Sequence, residues 1–151
     1  MAISTATMTV SITESVTING ADRGNSNSFT LPNIHEVMER TVTVPASEIT
    51  LISFSTAAAG GTFVEGDVRY IRITNKDASN FVMINVEGDA STDFTIRLDP
   101  GVSYQIVSTL GAGTGVVDYA DISGYTLEDL TAIKSTADTA ACDVEIMVAC
   151  V

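Results

Sequence analysis

Short runs of alternating apolar and polar residues, cut at intervals of about eight to twelve residues by turn chemistry, restrict this chain to a sheet-based fold. The last run is the most regular. Cys142, Val144, Ile146, Val148 and Cys150 face one way, while Asp143 and Glu145 face the other.

Residues 8–12 and 15–18 alternate in the same manner and lead into Asn19-Gly20, a strong hairpin-turn signal. Residues 21–28 are rich in Gly, Asn and Ser, so a loop is expected there. Phe29-Thr30-Leu31 then meets Pro32, which has no N–H to give a ladder, and this piece belongs at an edge or a crossing between sheets. Residues 36–44 read as a strand ended by Pro45, residues 49–54 as a compact run suited to burial on both faces, and residues 57–61 as a connector.

The middle reads most clearly. A strand over 68–74 is followed by turn chemistry at Asn75-Lys76-Asp77, a returning strand over 81–86, a turn at 87–89, and alternation through Phe94, Ile96 and Leu98. Asp99-Pro100-Gly101 breaks the chain before a strand that begins at Tyr104. Residues 111–115 form a glycine loop, and 127–132 have the spacing of one short helical turn. About eight to ten short strands are expected, in an all-β, antiparallel, jelly-roll-like sandwich. Residues 1–151 make one domain, with 1–7 as a flexible N-terminal arm ordered only by a neighbour.

Composition narrows the function. Seven basic against nineteen acidic residues give a formal charge of −12, which opposes nucleic-acid binding and adhesion to an anionic membrane. Solubility is its simplest use, and docking onto a basic protein patch or binding of cations its sharper ones. The N-terminus lacks a basic, apolar targeting segment, and no apolar stretch is long enough to span a bilayer, so synthesis in the cytoplasm is expected. Cys142 and Cys150 are eight residues apart on one strand, roughly 26 Å, too far for an intrachain disulfide, and read as buried thiols.

Catalytic signatures are weak. His35 is the only histidine, and no Gly-x-Ser-x-Gly elbow exists for it to serve. The glycines from Gly111 to Gly115 precede strand-like Val116-Val117 where a phosphate loop requires a helix. Asp89 with Asp93, and Asp118 with Asp121, lack EF-hand spacing and read as solvated turns. Arg69, Arg72 and Arg97 lie on central strands, where carboxylate partners within the chain are expected, with carboxylates across a subunit interface as the alternative. No catalytic, cofactor-binding or metal-ligating residue is assigned, and no cofactor is expected.

Three segments carry a family resemblance: Glu48-Ile49-Thr50-Leu51-Ile52-Ser53-Phe54, Val68-Arg69-Tyr70-Ile71-Arg72-Ile73-Thr74-Asn75, and Phe94-Thr95-Ile96-Arg97-Leu98-Asp99-Pro100-Gly101-Val102-Ser103-Tyr104. Together they resemble the small β-sandwich virion proteins of tailed bacteriophages, especially those infecting cyanobacteria. The resemblance implies a capsid decoration or cement protein, bound to the outer capsid surface and stabilising the head. Its partners would be the major capsid protein or other virion proteins, and its own copies would form a homo-oligomer, a trimer by analogy. A tail, head–tail connector or fibre component fits the same resemblance. A carbohydrate-binding sandwich is the alternative outside virion structure.

Overall fold

The computed structural model describes residues 4–89, 92–109, 115–118 and 126–151, with the backbone alone at 115–118 and 126–128. Within them the chain is almost entirely strand. The N-terminal part holds β1 (Ala6–Glu14), β2 (Thr17–Ile18), β3 (Ala21–Asp22) and β4 (Asn25–Ile34). Then come β5 (Glu36–Val44), β6 (Ile49–Ser55), β7 (Phe63–Val64), a 3₁₀ turn at Glu65–Asp67, and β8 (Val68–Asn75). The remainder is β9 (Val82–Gly88), β10 (Asp93–Leu98), β11 (Ser103–Val107), β12 (Gly115–Asp118), β13 (Thr126–Ala137) and β14 (Cys142–Cys150).

Two sheets form the body. One has the order β11-β8-β14-β5, and the other β10-β9-β13-β6-β7 with β12 added to β13. All pairings are antiparallel except the short β6–β7 contact. With β7 and β12 set aside, every connection from β5 to β14 changes sheet apart from the β9–β10 hairpin. This is the jelly-roll order.

The alternation seen in the sequence explains how the layers meet. Cys142, Val144, Ile146, Val148 and Cys150 of β14 and Ile71 and Ile73 of β8 point inward. They meet Leu51, Ile52, Val82, Ile84, Val86, Leu130 and Ile133 from the opposite sheet in one continuous core. Burying each such aliphatic side chain stabilises the fold by about 1.5–3 kcal/mol. At the open edge, Arg40 of β5 reaches across to donate to the Leu51 carbonyl of β6. An inward-directed charge of this kind also discourages a foreign strand from adding to the edge.

Three local expectations are corrected. Residues 127–132 are not helical: they lie within β13, where 127–129 pair with β12, Leu130 and Ala132 with β9, and Ala132 also with β6. The helix-like spacing of Leu130 and Ile133 has a sheet origin. The register against β9 shifts between Leu130 and Ala132, and this bulge turns both side chains into the core. Residues 21–28 are not a loop but β3 and the start of β4, since pairing with the preceding strands outweighs their low strand propensity. Of the expected arm over 1–7, Ala6 and Thr7 already belong to β1, and residues 1–3 lie outside the described residues. The expected loop at 111–115 also lies outside them, apart from Gly115, which opens β12.

The strand after Asn75 does not return beside its predecessor. β8 and β9 sit in different sheets, so the turn between them is a corner of the sandwich. Asn75 pins that corner. Its fully buried amide donates to the carbonyls of Asn80 at 2.9 Å and Leu98 at 3.0 Å, and its Oδ1 accepts from the Asp77 N–H at 3.0 Å. Asp77 continues the device by accepting from the N–H groups of Asn80 and Ser79, which hold its carboxyl below the usual carboxylate value. An Asn75→Leu variant strands two carbonyls and an N–H and is expected to lose about 2–4 kcal/mol in urea denaturation. A loss under about 0.5 kcal/mol, within the range of ordinary surface substitutions, would mean that the corner is held elsewhere.

Candidate functional site

The residues that sequence chemistry singles out are scattered. His35 is exposed at the bend between β4 and β5, where its backbone N–H donates to the Cys150 carbonyl at 3.0 Å. Arg72 pairs with Glu145 at 2.7 Å, with Glu39 at 3.9 Å, and Lys76 joins at Glu145 from 3.8 Å. Arg97 pairs with Asp99 at 2.7 Å and lies over the Phe81 ring, 4.1 Å from its centroid. These two arginines have the expected partners within the chain. Arg69 donates to the backbone carbonyls of Gly66 at 2.7 Å and Val68 at 3.2 Å. Part-exposed pairs such as these contribute at most about 1 kcal/mol each.

Both cysteines are free and buried on the inward face of β14. Burial pushes the Cys150 thiol up to about 12, with Glu36 and Asp67 adding to the rise and Arg69 opposing it. Thiolate is the reactive form, so these are packing residues in their chemistry.

Among the concavities of the described residues, two involve the β10-β9-β13-β6 layer. One, of about 420 Å³, is lined by Glu87, Gly88, Asp89, Thr92, Asp93 and Thr131. It brings Asp89 and Asp93 together at one end of the sandwich, whereas Asp118 has only its backbone described and Asp121 lies outside the described residues. Nearby, burial raises the Glu65 carboxyl above its usual value, and the charges of Asp129 and Asp89 raise it further. Among the described residues, no three His, Cys, Asp or Glu side chains gather closely enough to hold a metal ion. The second groove, about 220 Å³, crosses the outer face of the β10-β9-β13-β6 layer past Glu48, Met83, Asn85 and Lys134. Lys134 is committed there to Glu87 at 2.8 Å and Glu48 at 3.6 Å. Neither lining includes an aromatic ring on which a sugar would stack.

The N-terminal ribbon is the more distinctive surface. β1 pairs with β4 alone, and β2 with β3 alone, so residues 6–34 form a two-stranded hairpin that belongs to neither body sheet. From Ala6 to its turn the ribbon extends roughly 40 Å at strand rise. Asn19 (φ 52°) and Gly20 (φ 77°) both adopt left-handed backbone, as a type I′ turn requires. Farther down, a side chain at Gly24 would collide with the Glu14 carbonyl, and the Gly24 N–H is taken by Asp22 Oδ1 at 2.8 Å.

The ribbon has two unlike faces. Thr9 opposite Thr30, Ser11 opposite Ser28, and Thr13 opposite Ser26 make one face entirely of hydroxyls. Met8, Val10, Ile12, Phe29 and Leu31 alternate onto the other, which toward the turn also carries Asn27, Glu14 and Asn25. At the base, Val10, Leu31 and Ile34 are buried with Tyr70 and Ala149, and Met8, Phe29, Met147 and Val151 pack around them. Met147 and Ala149 are thus the outward partners of the inward β14 stripe, and they seat the ribbon on the back of the β11-β8-β14-β5 sheet. Beyond that seat the apolar residues run on uncovered. Ile12 and Val16 are each 43% exposed, and Ile18 is 55% exposed.

Sequence reading missed this surface because it ended the hairpin at Asn19-Gly20 and assigned the return strand to a loop. A usable signal was present: polar residues at 25–28 followed by Phe29 and Leu31 mirror the alternation of 8–12 across the Asn-Gly turn. No family model, curated protein or solved structure matches this chain.

Two measurements check this electrostatic and packing description. Native protein is expected to leave both thiols unreacted with a disulfide reagent at mildly alkaline pH and to release two equivalents on unfolding, and rapid native labelling would contradict the burial. For Glu65, the folded chain takes up its proton at a higher pH than the unfolded chain, so its charge destabilises the neutral-pH fold. Glu65→Gln should therefore raise the thermal midpoint at neutral pH, with the gain fading as the pH falls toward the ordinary carboxylate value of 4.5 and absent below it.

Proposed function

We propose that this chain is a virion structural protein, a capsid decoration or cement subunit that binds the outer surface of a phage head and stabilises it. The observation that carries the reading is a jelly-roll body bearing a long hairpin whose apolar residues Ile12, Val16 and Ile18 face solvent. Exposed apolar side chains on a projecting element are what a subunit needs to assemble, with its own copies or with another protein surface. The body supplies rigidity, and its acidic surface resists indiscriminate association.

Jelly rolls serve in viral capsids and in lectins alike, so the fold by itself does not choose between them. The absence of aromatic rings from both grooves weighs against a sugar-binding role. Weak contacts repeated over a symmetric shell gain strength by avidity, so each subunit's contact with the head can be small.

The test uses purified protein and expanded, DNA-filled cyanophage heads. Co-sedimentation at many copies per head, with a higher temperature for DNA release, is expected. Binding at a single vertex would reassign the chain to the connector or tail, and failure to bind any capsid form would overturn the virion reading.

A further inference from the structure

We infer that the uncovered apolar face of the N-terminal ribbon is the contact with a second copy of this chain, ribbon against ribbon. Three observations lead there, and none depends on the virion reading.

The first is continuity. The face that carries Ile12 is the same face that, one step nearer the base, packs Met8, Val10, Phe29 and Leu31 onto Tyr70, Met147 and Ala149. Beyond the seat the same face carries Ile12, Val16 and Ile18 with Asn27, Glu14 and Asn25 between them, and this outer part lacks a cover.

The second is incompleteness. A two-stranded ribbon is marginal in water by itself, and needs further strands or a layer against its apolar face. Past the seat, this ribbon has two open strand edges and no second layer among the described residues. A second ribbon, related by a two-fold axis, covers both stripes at once, because in such a contact each copy presents the same patch to the other.

The third is charge. Glu14, Asp22 and Arg23 are the only charged residues in 1–34, so that segment has a net charge of −1, and −11 of the total −12 remains on 35–151. Two copies meeting body to body oppose two strongly acidic surfaces. Two ribbons meet with almost no repulsion, and their length keeps the bodies apart. This separates the ribbon contact from a stripe docked onto a neighbour's body, even though the body also exposes apolar residues at Val37, Phe94, Val102 and Val107.

The experiment is sedimentation equilibrium of the full chain over a wide concentration range, at low and high salt. A reversible dimer is expected, and it should hold or tighten as salt screens the repulsion between bodies. The triple variant Ile12→Thr, Val16→Thr, Ile18→Thr retains strand-favouring residues and should raise Kd at least about tenfold, with circular dichroism unchanged. Val102→Thr, at an exposed apolar position away from the ribbon, serves as the control and should leave Kd unaltered. A wild-type monomer at the highest concentration would overturn the inference. So would association that dissolves in high salt, or a control that weakens it as much as the triple variant. Head binding is read separately, so either proposal can fail without the other.

Discussion

The structure depends on the two-sided packing of β14. It bonds to β5 along all nine residues on one edge and to β8 along seven, Val144 to Cys150, on the other. Its inward stripe, from Cys142 to Cys150, is at most 3% exposed and lies at the centre of the core. Its outward residues hold the remaining parts in place. Glu145 gathers Arg72 and Lys76, while Met147 and Ala149 receive the base of the ribbon. One alternating strand therefore joins the two sheets, orders the charged surface and anchors the projecting hairpin.

The division between body and ribbon is also a division of labour in physical terms. The body satisfies its backbone groups in ladders and closes its corners with buried polar residues such as Asn75. It carries nearly all the charge. The ribbon has little charge, one hydroxyl face and one face whose apolar residues continue past its support. An acidic body with a neutral, partly apolar extension can associate through the extension while remaining dispersed elsewhere, because screened repulsion falls off over a Debye length and apolar contact acts only at touching distance.

Errors in reading the sequence arose where a local signal had a non-local cause. The spacing of Leu130 and Ile133 suggested a helical turn, but a bulge in a strand bonded on both sides produces the same spacing. Asn75-Lys76-Asp77 is a genuine turn, yet it leads to the other sheet instead of back along the same one. Residues 21–28 have loop composition, and become strand because the type I′ turn before them fixes their register against β1 and β2. Arg40 gave no sign of its role, since the Leu51 carbonyl it meets is brought near only by the sandwich.

The sequence by itself determined the all-β class, most strand positions, the inward and outward faces of β14, the Asn19-Gly20 turn, and the buried state of both thiols. These are period-two and turn-residue properties, set by a residue and its immediate neighbours. Only the tertiary structure decided which strands pair, where the chain changes sheets, and that Ile12, Val16 and Ile18 remain uncovered while Val10 and Leu31 do not. Alternation specifies which side chains share a face. What covers that face depends on segments far away in the chain, and their arrival is a matter of packing that no local pattern records.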